Sequence, residues 1–143
     1  MRISASEAGL RLLRGLWACG LIALVGCGGL RVVPVSGKVT LDGKPLKGAV
    51  VSFNPDQAKG NNQRVSSTGR INQDGQYEIY TDDGSKVRKG APLGWYKVTF
   101  LTGLPGSAPV EIDSKYLDVG KTPLSVEVVA DPEPNAYDFK VTK

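Results

Sequence analysis

The chain has 143 residues, 41% of them hydrophobic, with 18 Gly and 9 Pro; this fits one turn-rich β domain and argues against a helical bundle or a disordered chain. Its formal charge of +4 gives no footing for nucleic-acid binding: residues 1–26 carry three arginines against one glutamate, and beyond them fifteen basic residues face thirteen acidic ones, scattered singly. There is no histidine, which excludes Ser-His-Asp and Cys-His hydrolases and any imidazole base or ligand, so that a metal would have to be held by carboxylates alone.

Arg2, Arg11 and Arg14 precede Gly15–Gly26 (GLWACGLIALVG), twelve residues without a charge. A membrane-spanning helix needs about 20 apolar residues, so this stretch is too short to cross and has the length of a signal-peptide core. It ends in Leu24-Val25-Gly26-Cys27, which resembles a bacterial lipobox. The resemblance implies that residues 1–26 are a cleaved signal peptide and that the sulfur of Cys27 carries a diacylglycerol. Cys19 fits less well, because Trp17 and Ala18 precede it and the apolar run would be cut short. The competing readings are an ordinary secretory signal with an incidental cysteine, or a retained anchor. With Cys19 discarded and Cys27 acylated, no disulfide staples the exported domain, and its stability has to come from its core. Two or more acyl chains, at about 0.8 kcal/mol per buried CH₂, make attachment to a membrane effectively permanent. Residues 27–34 then form a short tether that keeps the domain close to the bilayer. Gly28 and Gly29 carry no retention signal of the Asp type.

The domain proper is expected over residues 35–143. Val35, Gly37, Val39 and Leu41 alternate with Ser36, Lys38 and Thr40, the period of a half-buried strand. Asp42-Gly43-Lys44-Pro45 is a turn, and Leu46–Phe53 resumes as a strand with Ala49, Val51 and Phe53 on one face. Asn54–Gln63 reads as an exposed polar loop and Arg64–Ile71 as a weak strand. Asn72-Gln73-Asp74-Gly75 is a turn of the Asp-Gly kind. Gln76–Thr81 follows as a strand with Tyr77 and Ile79 on one face, then Asp82–Gly94 as a surface connection. Trp95–Thr102 is a strand with Tyr96, Val98 and Phe100 inward and Trp95, Lys97 and Thr99 outward. Asp113–Leu117 suits a short helical turn. Leu124–Val129 and Ala136–Thr142 are the last two strands, the latter with Tyr137, Phe139 and Val141 alternating against Asp138 and Lys140. Seven short strands with turns between them point to an all-β, two-sheet antiparallel sandwich.

The succession VSGKVTLDGKPLKGAVVSFNP, TGRINQDGQYEIYT and KGAPLGWYKVTF resembles the carboxypeptidase regulatory-like or transthyretin-like domains of bacterial lipoproteins, and the tail SKYLDVGKTPLSVEVV…NAYDFKV is also similar to that group. The resemblance implies a seven-stranded, prealbumin-like Greek-key sandwich. It implies little about activity, because such domains serve mostly as accessory, binding or structural modules. One enzyme branch of the transthyretin relatives, the hydroxyisourate hydrolases, depends on histidines and a C-terminal Tyr-Arg-Gly-Ser; this chain has neither, ending in Phe139-Lys140-Val141-Thr142-Lys143.

Three further chemistries are weighed on the residues. Lys38, Glu78 and Asn135 supply the types needed for a Lys–Asn isopeptide bond, but Lys38 and Glu78 alternate out of phase with the core residues and should face water. Asn72–Gly75 and Asp82–Gly84 lack the spacing and distal Glu of a calcium loop and read as turns. A hydrolase working with carboxylates alone would need two acids sharing a cleft, and no such pair is visible in the sequence. Trp95 and Tyr80 lie opposite the core residues of their strands, where an aromatic ring can stack on a sugar or anchor a protein; the bland alternative is that Trp95 closes the end of the sandwich or packs against a loop.

The expectation is therefore a non-enzymatic structural or binding module. It would be exported and held to the cell-envelope membrane, on the periplasmic or outer surface, through acylated Cys27. It would need no cofactor or metal, and an envelope protein or a glycan would be its partner. The alternative is an accessory subunit that presents a partner enzyme or substrate at the membrane.

Overall fold

A computed structural model describes residues 30–143; the signal-peptide reading of residues 1–26 and the acylation of Cys27 fall outside them. The described residues form ten strands: β1 (Ser36–Leu41), β2 (Lys44–Pro45), β3 (Val50–Pro55), β4 (Ser67–Arg70), β5 (Gln76–Glu78), β6 (Tyr80–Asp82), β7 (Val87–Lys89), β8 (Gly94–Leu101), β9 (Ser125–Val128) and β10 (Phe139–Val141). Two 3-10 turns, Gln57–Lys59 and Ser114–Leu117, are the only helical pieces among them. The second is the turn expected at Asp113–Leu117, with the Asp113 carboxylate accepting the Lys115 N–H at its start.

The strands make two sheets. In the four-stranded sheet β1 is central, antiparallel to β2 and β5 along one edge and parallel to β10 along the other, so the expected antiparallel pattern fails where the last strand returns beside the first in the same direction. The six-stranded sheet runs β7-β6-β4-β3-β8-β9 and is antiparallel throughout. The β1–β2 hairpin closes through Asp42 and Gly43, both at positive φ (49° and 81°), the left-handed pair that a two-residue hairpin turn demands.

Three differences from the expected seven strands have simple causes. Lys44–Pro45 pairs with Thr40 and Leu41 as a short second arm. Val87–Lys89, read as a surface connection, pairs with β6. The single strand expected over Gln76–Thr81 changes sheets at Ile79. There the Ile79 N–H bonds the Val35 carbonyl (2.9 Å) while its own carbonyl accepts from Gly90 N–H (2.7 Å), so β5 belongs to one sheet and β6 to the other. Asn54–Gln63 is not a wholly exposed loop either. Asp56 (5% exposed) caps the first 3-10 turn through Ala58 N–H, and Asn61 (6%) donates to the Trp95 carbonyl.

The alternating apolar residues meet between the sheets. Val51 and Phe53 of β3, and Tyr96, Val98 and Phe100 of β8, are buried from one side, and Val39, Tyr77, Tyr137, Phe139 and Val141 from the other. Phe53 lies at the centre, with ring centroids 5.8–6.4 Å from Tyr77, Tyr96, Tyr137 and Phe139. Tilted and edge-on contacts of this kind add about 0.5–1.5 kcal/mol per pair to the burial itself. With no disulfide available within the domain, this aromatic knot is its main internal tie.

Candidate functional site

A groove of about 870 Å³ runs over the outer face of β1 and β5 and on to β4 and β6. The sheet switch creates it. Residues of β1 and β5 that alternate away from the core face outward as cross-strand pairs, Ser36 with Glu78 and Lys38 with Gln76. One strand position past Ile79, the outward side chain is Tyr80, now on the other sheet. Gly69 of β4 lets this bend form, because a Cβ there would collide with the Glu78 carbonyl oxygen. Arg70, Asn135 and Asp138 complete the wall.

The acids of the groove are tied down. The Glu78 carboxylate pairs with Lys89 Nζ at 2.9 Å and accepts the Tyr80 hydroxyl at 3.2 Å. The Lys89 ammonium, then the Tyr80 hydroxyl, hold its pKa below the ordinary carboxylate range, while the Lys89 pKa rises in turn. Asp138 Oδ1 accepts the Lys38 backbone N–H at 2.9 Å. Among the described residues Lys38 and Arg70 make no ion pair. Asn72 Oδ1 accepts two N–H groups, of Asp74 and Gln76, which leaves its Nδ2 free to reach outward. Beneath the groove the buried Tyr77 hydroxyl donates to the Tyr137 carbonyl, and burial, with Asp138 and Tyr137 adding to it, pushes the phenol pKa well above its usual value.

Of the two aromatics singled out from the sequence, only Tyr80 belongs to the groove, 41% exposed. Trp95 sits on β8, separated from β6 by β3 and β4. It is half-buried against the loop after β3: Lys59 Nζ stands 4.0 Å from its ring centroid, and its carbonyl accepts from Asp56 N–H and Asn61 Nδ2. Lys38, Glu78 and Asn135 do share one site, but all three are exposed, and an isopeptide bond needs its lysine and acid out of water. The Asp82 and Asp83 carboxylates are engaged by N–H groups of their own loop, and Asp83 also by Arg88; among the described residues no three His, Cys, Asp or Glu side chains gather as metal ligands.

Nothing in the sequence singles out Ser36, Arg70, Gln76 and Asp138 as a site, and Asn72 enters there only in a turn weighed against a calcium loop. Their only mark in the sequence is outward alternation on strands or a place in a turn, a property shared with most surface residues. Comparison of the chain with protein-family models, curated proteins and solved structures finds no match.

Proposed function

We propose that the chain is a lipid-anchored, non-enzymatic binding module of the cell envelope, built as a prealbumin-like Greek-key sandwich and akin to the carboxypeptidase regulatory-like domains of lipoproteins. The observation that carries this reading is how soon after Cys27 the domain begins. Val33 exchanges two backbone hydrogen bonds with Ala91, at 2.9 and 3.0 Å, six residues beyond that cysteine. Six extended residues reach about 20 Å at most, so acyl chains on Cys27 would hold the Val33–Ala91 edge against the bilayer. An aromatic core shared by two sheets supports the sandwich, while the parallel pairing of β1 with β10 departs from a wholly antiparallel one. The exposed polar groove, which begins at Ser36, supplies the surface for a partner.

The test is intact mass with membrane fractionation, on the native protein and on Cys27→Ala. A mature mass starting at Cys27 plus acyl chains, in the membrane fraction and lost in the variant, is the expected result. An unmodified chain that is soluble in both forms would overturn the anchor and with it the proposed address.

A further inference from the structure

We infer that the groove between Lys38 and Tyr80 takes an uncharged glycan chain, stacked on the Tyr80 ring and hydrogen-bonded by the side chains of Asn72, Gln76 and Asn135; this rests on reading the chain as an envelope binding module and gives that module its ligand class. Size comes first. At about 870 Å³ the groove has the volume of a small-molecule site, yet it lacks the apolar lining that such sites give to apolar ligands. Its walls are polar side chains, with one exposed aromatic ring.

Charge then narrows the class. The groove holds two cations, Lys38 and Arg70, and two carboxylates, Glu78 and Asp138, so neither sign prevails. Glu78 is already neutralised by Lys89, and Asp138 is bound to a backbone N–H. Lys38 and Arg70 make no ion pair among the described residues, which closes the groove to a cation, while the two carboxylates beside them deny an anion a site of a single sign.

What the groove does offer is unpartnered amide groups. Among the described residues the side chains of Gln76 and Asn135 make no hydrogen bond, and Asn72 keeps both protons of Nδ2. An amide side chain combines two donors with an acceptor, the complement of neighbouring sugar hydroxyls, each of which donates and accepts. The Tyr80 ring is held ready by its hydroxyl bond to Glu78, which Lys89 fixes in turn. A platform held in this way loses little freedom when a sugar's C–H face settles on it. An extended peptide would instead look for an open strand edge: β6 is paired on both edges, the Lys38 N–H of β1 is taken by Asp138, and the second edge of β5 lies against Asn72 and Gly69.

The experiment uses the full chain, purified in a non-glycosidic detergent, with Cys27→Ala alongside. It is titrated with maltohexaose, cellohexaose and chitohexaose while backbone amide shifts are followed by NMR. At least one oligosaccharide is expected to shift Gln76, Glu78 and Tyr80 together. Tyr80→Ala should weaken that binding about tenfold, Tyr80→Phe less, and Trp95→Ala not at all. The proposal is overturned if none of the three moves these residues at about 10 mM, where a Kd of about 1 mM would leave the site roughly nine-tenths filled. It is equally overturned if Tyr80→Ala binds as well as the native chain. Sugar binding by a chain that proves to carry no lipid would remove the address and keep the groove. An acylated chain that binds none of the sugars would do the reverse.

Discussion

The carbonyl oxygen of Glu78 occupies the place where a Cβ on Gly69 would stand. Here β4 and β5 approach without pairing, and the chain turns from one sheet into the other. Gly69→Ala must push the two strands apart, an overpacking change expected to destabilise the domain by about 1–3 kcal/mol in urea unfolding. It should also move the Glu78 and Tyr80 amide resonances, since both residues stand on the displaced segment.

Ser67 and Thr81 are wholly buried, with their hydroxyl oxygens 2.7 Å apart, and Thr81 donates to the Gly90 carbonyl. Thr81 has one proton, so Ser67 must be the donor between the two. Ser67→Ala therefore removes one bond and leaves Thr81 bonded to Gly90, at about 1 kcal/mol. Thr81→Val leaves both the Ser67 proton and the Gly90 carbonyl unmatched, at about 2–4 kcal/mol. Equal losses in the two variants would contradict this direction of donation.

Tyr77 governs the alkaline side of the stability curve. In the unfolded chain its hydroxyl ionises near pH 10.0, and in the folded one only above that. Its contribution is thus complete below pH 10 and is lost as the pH rises toward the folded value. Burial raises Tyr96 in the same direction. Each tyrosine steepens the fall by up to about 1.4 kcal/mol per pH unit. Tyr77→Phe should flatten that limb while lowering stability at neutral pH by about 1–3 kcal/mol, because the Tyr137 carbonyl loses its partner. Denaturation midpoints across pH 8–11 would register both effects.

Asp83 acts on the acid side. Its carboxylate accepts from Ser85 Oγ and from the N–H groups of Ser85 and Lys86, with Arg88 alongside, and these bonds hold its pKa below the ordinary aspartate value. The order it gives to the β6–β7 loop is present above the unfolded pKa of 3.8 and lost as the pH falls through the lower folded one. Amide exchange at Ser85 and Lys86, divided by its intrinsic rate at each pH, should quicken only as the pH falls from 3.8 toward the lower folded value. Asp83→Ala should show the fast exchange at every pH, with the global midpoint nearly unchanged.

Much of this architecture is written in the alternation of residues. Val39, Val51, Phe53, Tyr96, Val98, Phe139 and Val141 are inward where the period of two places them, and Lys38, Glu78 and Tyr80 are outward. The period cannot reveal a change of sheet, since Tyr77, Ile79 and Thr81 all point inward through the switch and only their backbone partners differ. Strand β7 escapes for another reason: Val87-Arg88-Lys89 has no apolar alternation and exists because β6 offers it an edge. Trp95 was legible as off the core face, but Lys59 above its ring comes from a turn that reads as plain loop. The groove is less legible still. Ser36, Arg70, Gln76, Tyr80 and Asn135 come from separate segments, and no local spacing registers their meeting.

The parallel partnership of β1 and β10 sets the order in which the domain can be completed. Val39 and Phe139 are neighbours in the sheet although 100 positions part them in the chain. A chain that leaves a ribosome or a translocation channel N-terminus first must carry an unfinished β1, one edge open, until Phe139–Val141 is out. Contacts so distant form late and slowly. The same wiring that ties β1 to β10 keeps the intervening chain threadable until that pair closes.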